Sequence, residues 1–244
     1  MSGAARHRVG PGRWAGSLLV LGDLALARTC AGCGVQGTRW CADCALALHG
    51  PLLSRELTIG LRVWSAAAYD GTVRTALVGW KDHDRPDVTP ALAVALHRAA
   101  RTAVSGLCDP ARLVVVPAPS SSAARRARGR TPVRDLAQRL TRALRRRGTS
   151  AVMLPALRQR RGVHDQSALD AEARAANLTG ALWVPESWRP HLHGRPCLLV
   201  DDVVTTGATL SEAMRALRAA GAGPIVGVTV AATVLRQPPQ ASSN

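Results

Sequence analysis

The sequence predicts an α/β fold, a mostly parallel sheet with flanking helices, joined to a small N-terminal element built on four cysteines. Three observations predict it. Short continuous apolar runs, LVVV (113–116) and LLV (198–200), read as strands buried on both faces, the pattern of parallel sheets covered by helices on each side. Segments of helical periodicity alternate with these runs, and strands alternating with helices pair in parallel. Two Cys-x-x-Cys pairs lie seven residues apart near the start.

A chain of 244 residues can form one good core plus a small appendage. The expected units are an N-terminal helix and cysteine element (1–50), the α/β domain (51–235) and a tail (236–244) with too little apolar surface to fold. The chain is 47% hydrophobic yet carries net charge +16, so an anionic substrate or partner is expected. Its basic residues are almost all arginine, and Lys81 is the only lysine. Phe is absent, which argues against a row of Phe/Tyr base-stacking platforms. No segment reaches the roughly 18 uninterrupted apolar residues of a membrane span, and the expected location is the cytoplasm.

At the amino terminus, Arg6, Arg8 and Arg13 precede WAGSLLVLGDLALA, which mimics a signal peptide. Asp23 interrupts the apolar run and no clean cleavage site follows, so an amphipathic helix is the better reading. Next come CAGC (Cys30, Cys33) and CADC (Cys41, Cys44). Thiolates in two such pairs can close a tetrahedral Zn²⁺ site with no open position; two disulfides or redox thiols are the alternative. The short spacer predicts a compact knuckle pair, and a cytoplasmic setting favours metal over disulfide. Cys108 and Cys197 are isolated and read as core residues.

RVWSAAAYDG (62–71) reads as a strand, and PALAVALHRAART (90–102) as a helix, with Lys81 in a loop between them. LVVVPAP (113–119) is a buried strand stopped by prolines. SSSAARRARGR then sets Arg125, Arg126, Arg128 and Arg130 on a small-residue loop. A helix starts near Thr131-Pro132, a good cap and first-turn pair, and buries Val133, Leu136, Leu140 and Leu144. Arg145 to Arg147 finish it where cations complement the helix dipole. AVMLPAL (151–157) reads as a strand, and ALDAEARAANLTGAL (168–182) as a helix with Arg174 and Asn177 one turn apart. PIVGVTVAAT (224–233) closes the core.

The most informative stretch is LLVDDVVTTGATL (198–210). Asp201 and Asp202 follow the apolar run at the carboxyl end of a strand, the edge where open α/β sheets bind ligands. Adjacent carboxylates repel unless cations or hydroxyl donors stand between them. Thr205, Thr206, Gly207, Ala208 and Thr209 then turn the chain into a helix whose Leu210, Ala213, Met214 and Leu217 recur at helical spacing and which Gly221 stops. Such a helix N-terminus suits a phosphate group, and the acids suit sugar hydroxyls. Ribose 5-phosphate chemistry satisfies both halves.

VDDVVTTGATL closely resembles the phosphoribosyl-pyrophosphate signature of the type I phosphoribosyltransferases. With the other segments placed, the resemblance narrows to the ComF family of competence-associated, amidophosphoribosyltransferase-like proteins. It rests on CAGCG with CADC, YDGTVRTALVGWK, VVVPAPSSSAARRARGR, QSALDAEARAANLTGAL and residues 198–210, in the family's order.

The resemblance implies a type I phosphoribosyltransferase-like sheet, phosphoribosyl pyrophosphate as ligand with Mg²⁺, and structural Zn²⁺ at the N-terminal cysteines. Asp201 and Asp202 would hold the ribose hydroxyls, directly or through metal-bound water. Thr205 to Thr209 would grip the 5′-phosphate. Pro117, Ala118, Pro119 and Ser120 would form the pyrophosphate loop, with Lys81 contributing to binding. Arg128 and Arg130 either close over the leaving pyrophosphate or belong to a solvated basic surface. Thr205 stands where hypoxanthine-guanine relatives carry an acid before Thr-Gly, which makes a 6-oxopurine acceptor handled by that acid less expected. No glutaminase domain is expected beside it. The family's link to transformation implies a rival role in handling single-stranded DNA, with a competence helicase or recombination mediator as partner.

Overall fold

The computed structural model describes residues 28–83, 85–107, 112–119, 131–160 and 180–234. The described residues include the strands β1 (Leu53–Leu57), β2 (Leu61–Ala68), β3 (Leu113–Pro117), β4 (Ala151–Met153), β5 (Arg158–Gln159), β6 (Leu182–Trp183), β7 (Cys197–Val204) and β8 (Ile225–Ala232). The described α-helices are α1 (Ala42–Leu48), α2 (Gly71–Asp82), α3 (Thr89–Ser105), α4 (Pro132–Arg146), α5 (Arg189–Leu192) and α6 (Ala208–Ala219).

Six strands form one sheet in the order β1-β2-β8-β7-β3-β4, parallel throughout except for the edge pair β1/β2. β5 and β6 form a separate antiparallel pair. Strand alternation sends side chains to two cores, as expected for a sheet covered on both faces. Leu198 and Val200 of β7 join Val115, Val228 and the helices α1 to α4 on one face. Cys197 and Leu199 join Val114, Val116 and the apolar stripe of α6, Leu210, Met214 and Leu217, on the other.

From β3 the chain passes through α4 to β4, and from β7 it passes through α6 to β8 on the opposite side. The winding direction therefore reverses between β3 and β7, which makes the crevice at their carboxyl ends the topological switch point where α/β sheets place ligands.

Among the described residues the expected strands and helices are present with small shifts, while the amphipathic helix expected before the cysteines and nearly all of the helix expected at 168–182 lie outside them; three differences are informative. β1 was not anticipated: it pairs with β2 through a short turn in which Gly60 adopts φ 74° and donates its N–H to Leu57 O. The strand expected at 151–157 stops at Met153, and beyond Pro155 the chain turns away to form β5. Lys81, expected in a loop, sits in the last turn of α2.

The cysteine segment is docked on the helical face. Arg85 Nη2 donates to Thr29 O at 2.8 Å, and the Arg98 guanidinium spans Leu48 O, Gly50 O and Ala66 O, joining the end of α1 to β2. Trp80, fully buried at the end of α2, donates its indole N–H to Thr89 Oγ1 at 3.0 Å and so ties α2 to the start of α3.

Candidate functional site

β7 outruns its neighbour. Pro117 pairs with Val200, and Ala118 donates to Val200 O at 2.8 Å; past that point β7 continues along β8 alone. The strand thus runs on to Val204, two residues past the acids, and both acids lie on the stretch that β8 alone accompanies. The Asp202 N–H is taken by Asp201 Oδ1 at 2.8 Å, and Asp202 Oδ1 accepts from the Val203 N–H at 2.9 Å. Each acid thereby satisfies a backbone donor at the strand end.

The turn that follows is held from outside. Thr205 and Thr206 are exposed, whereas Gly207 is buried in the left-handed region at φ 85° as the N-cap of α6. A Cβ on Gly207 would stand 2.6 Å from Leu57 Cδ2, so glycine is required there twice over. Arg55 Nη2 donates to Thr205 O at 2.7 Å, and Thr233 Oγ1 reaches the same carbonyl at 3.3 Å. Thr206 Oγ1 accepts from the Ala208 N–H at 3.3 Å, and Ala208 and Thr209 open α6 half-buried. The first-turn amides of α6 face this turn, as helix geometry requires.

Asp202 is almost wholly buried, and its Oδ2 lies 2.7 Å from Lys81 Nζ, whose side chain is 41% exposed. The lone lysine of the chain thus supplies positive charge to the acid pair. Asp201 remains under-compensated: loss of solvation at its carboxyl, then the Asp202 charge, raise it well above the usual carboxylate range, with Lys81 pulling the other way. Two carboxyls in unlike states, one ion-paired and one inclined to hold its proton, mark a place where charge has been concentrated at a cost in stability.

The structure brings Asp201, Asp202, Thr205 to Thr209, Pro117, Ala118, Pro119 and Lys81 to one edge of the sheet. Ser120, Arg125, Arg126, Arg128 and Arg130 lie outside the described residues, as do Arg174, Asn177, Cys108, the apolar N-terminal segment and the tail from 235 onward. Arg55, Leu57 and Thr233 support the turn without having been singled out from sequence. A signal existed for the first two, because LTIGL (57–61) has the length and glycine of a tight hairpin turn.

At the N-terminal element, the Sγ atoms of Cys30, Cys33, Cys41 and Cys44 all lie within 4.8 Å of one another. Cys41 Sγ stands 3.6 Å from those of Cys30 and Cys33, and the cysteines are unbonded. A tetrahedral metal with bonds of ~2.3 Å to sulfur spaces its ligands ~3.8 Å apart, so these four thiols could hold such an ion. Although burial opposes ionisation of Cys30, backbone N–H groups of Cys33, Cys41 and Gly32 outweigh it and bring the thiol down to about 6. Cys44 is pushed up, by burial first and by the neighbouring sulfurs.

Residues 126–241 match the family model of the phosphoribosyl transferase domain. The match includes both acids and the turn after β7, and leaves β1 to β3, Lys81 and the cysteine cluster outside it. No curated protein matches the chain.

Two predictions follow from this geometry. Gly207→Ala should cost about 1–2 kcal/mol for the left-handed backbone alone, and more for the contact with Leu57. Adding Leu57→Ala should recover the contact part only, a coupling that a double-mutant cycle by chemical denaturation measures. Asp201→Asn keeps the Oδ1 acceptor but removes the ionisation. Unfolded Asp201 loses its proton in the ordinary carboxylate range while the folded carboxyl retains it, so wild-type stability falls as pH rises from that range through the raised folded value. The variant should therefore melt progressively higher than wild type as pH increases across that window; a variant less stable at neutral pH would contradict the raised ionisation.

Proposed function

We propose, supported by the match of residues 126–241 to the phosphoribosyl transferase domain, that the chain is a type I phosphoribosyltransferase-like protein whose crevice at β3 and β7 binds phosphoribosyl pyrophosphate with Mg²⁺ and transfers the phosphoribosyl group to a nitrogen acceptor. The observation that carries this reading is the acid pair followed by Thr205-Thr206-Gly207-Ala208-Thr209 at the switch point of the sheet.

The α6 amides and the threonine hydroxyls donate to the 5′-phosphate. Asp201 and Asp202 accept from the ribose hydroxyls; as hard oxygen donors already partly compensated by Lys81, they also suit a Mg²⁺-bound ligand. Were Mg²⁺ bound there, it would supply neutralisation of the charge that builds on the leaving pyrophosphate. The acceptor nitrogen bonds to C1, the C1–O bond breaks, pyrophosphate leaves with the electron pair, and the nitrogen gives up a proton. Oxocarbenium character at C1 makes charge stabilisation and exclusion of water the main contributions of the protein. Arg128 and Arg130, on the segment after Pro119, are assigned to the leaving pyrophosphate.

Within the superfamily, the cysteine knuckle and YDGTVRTALVGWK support a ComF-like protein with an N-terminal element over 1–50 and a transferase unit over 51–235. Structural zinc at Cys30, Cys33, Cys41 and Cys44 accords with the sulfur spacing. Among the described residues no helix is long and apolar enough to cross a membrane, which is in keeping with a cytoplasmic protein. Net charge +16 favours a second reading, single-stranded DNA handling in transformation, with a helicase or recombination mediator as partner.

Calorimetric titration of phosphoribosyl pyrophosphate with Mg²⁺ should show binding to the wild type, weakened at least about tenfold, or 1.4 kcal/mol, in Asp201→Ala/Asp202→Ala. A folded wild type that does not bind would overturn the reading. DNA binding that survives the double variant and falls steeply with salt would favour the second. For the knuckle, the purified chain should carry a single zinc equivalent by elemental analysis, lost together with thermal stability in Cys44→Ser.

A further inference from the structure

Away from the carboxyl edge, α3 and α4 lie side by side on the helical face and enclose a cleft of about 490 Å³. α4 leads from the carboxyl end of β3 to the amino end of β4, so its last turns lie at the edge of the sheet opposite the acid pair. Pro90, Ala93 and Val94 from α3 and Ala143 from α4 give the cleft an apolar lining, and Val94 is 57% exposed. Arg139, Arg142, Arg146 and Arg147 add four guanidinium groups.

The arginines are not explained by helix chemistry. Favourable interaction with the helix dipole is confined to the last turn, which leaves Arg139 and Arg142 without that role. Arg145, outside the cleft, donates to Ala151 O, whereas among the described residues no ion pair or side-chain hydrogen bond engages the four cleft arginines. Four like charges around one concavity repel one another in the absence of an anion. His97 also lines the cleft, and its Nε2 is shielded from solvent with no hydrogen-bond partner among the described residues. Burial, reinforced by Arg147, Arg101 and Arg146, lowers the imidazole below its ordinary range and keeps it neutral.

We propose that the α3–α4 cleft is a second ligand site that takes a small organic phosphate, separate from the crevice at β3 and β7. The guanidinium rim matches phosphate oxygens, for which planar paired N–H donors are suited. The apolar floor matches the carbon portion of the ligand, and His97 Nε2 offers one polar contact at depth. The volume falls in the range of small-molecule clefts, about 300–1,000 Å³. The paired demands of a multiply charged end and an apolar body describe a nucleoside polyphosphate or a sugar phosphate with an aglycone, rather than inorganic phosphate alone.

ADP is a suitable probe, titrated calorimetrically into the full chain at low salt. Binding should persist in Gly207→Ala, which disturbs the turn after β7, and should weaken at least tenfold in Arg142→Glu/Arg146→Glu with an unchanged melting temperature. Binding that ignores the charge reversal, or that disappears with Gly207→Ala, would assign ADP to the carboxyl edge and overturn the proposal. So would a single-stranded oligonucleotide that binds these arginines while ADP does not bind at all. Should the reversal variant fail to fold, the wild-type His97 ring resonance gives the answer: bound ADP must shift it, and an unmoved signal under saturating ADP overturns the site.

Discussion

The structure depends on a single strand covered on both faces along its length and left without one neighbour only at its end. β7 contributes Leu198 and Val200 to one core and Cys197 and Leu199 to the other. Its position in the sheet is thus fixed from both sides. Because β3 stops at Pro117 while β7 runs on, two acids emerge from a rigid support at the place where the sheet changes its direction of winding. Rigid placement matters for such a pair, since carboxylates on a mobile loop would relax apart instead of sharing one cation.

Around that strand, each supporting contact comes from a different part of the chain. Lys81 arrives from the end of α2, Arg55 and Leu57 from the edge hairpin, Ala118 from the end of β3, and Thr233 from beyond β8. The crevice is therefore a convergence of segments far apart in sequence. Much of the support lies before residue 126, outside the matched family segment, so the matched segment carries the acids and the turn while the remainder of the chain sets their charge and shape.

What was legible in the sequence follows from what is local. The buried runs of β3 and β7, the apolar stripe of α6 and the glycine at the turn are each specified by neighbouring residues, and all were readable. Lys81 was recognised as a candidate but misplaced in a loop, because DHDRPD after it reads as coil while the helix that holds it is stabilised by the buried Trp80, a tertiary effect. β1 escaped because Arg55 stands at an inward position where an apolar residue would complete the alternation; its partner is a carbonyl 150 residues away. The cleft arginines were hidden for a different reason. Three arginines in a row at a helix end have a sufficient local explanation, and only the packing of α3 against α4 reveals that two of them, Arg146 and Arg147, share a concavity with Arg139 and Arg142 without any acid.

The loop at Gly32 packs so closely on α2 that a Cβ there would stand 2.6 Å from Cys44 Sγ and 3.2 Å from Thr72 Cβ. α2, a rod ~18 Å long at 1.5 Å per residue, begins beside the cysteine cluster and ends at the lysine that faces Asp202. The two ends of one rigid body cannot be adjusted separately. One helix thus touches the loop of the sulfur cluster at its start and carries, at its end, the ammonium group that faces the acid pair, so the two regions share a single structural support.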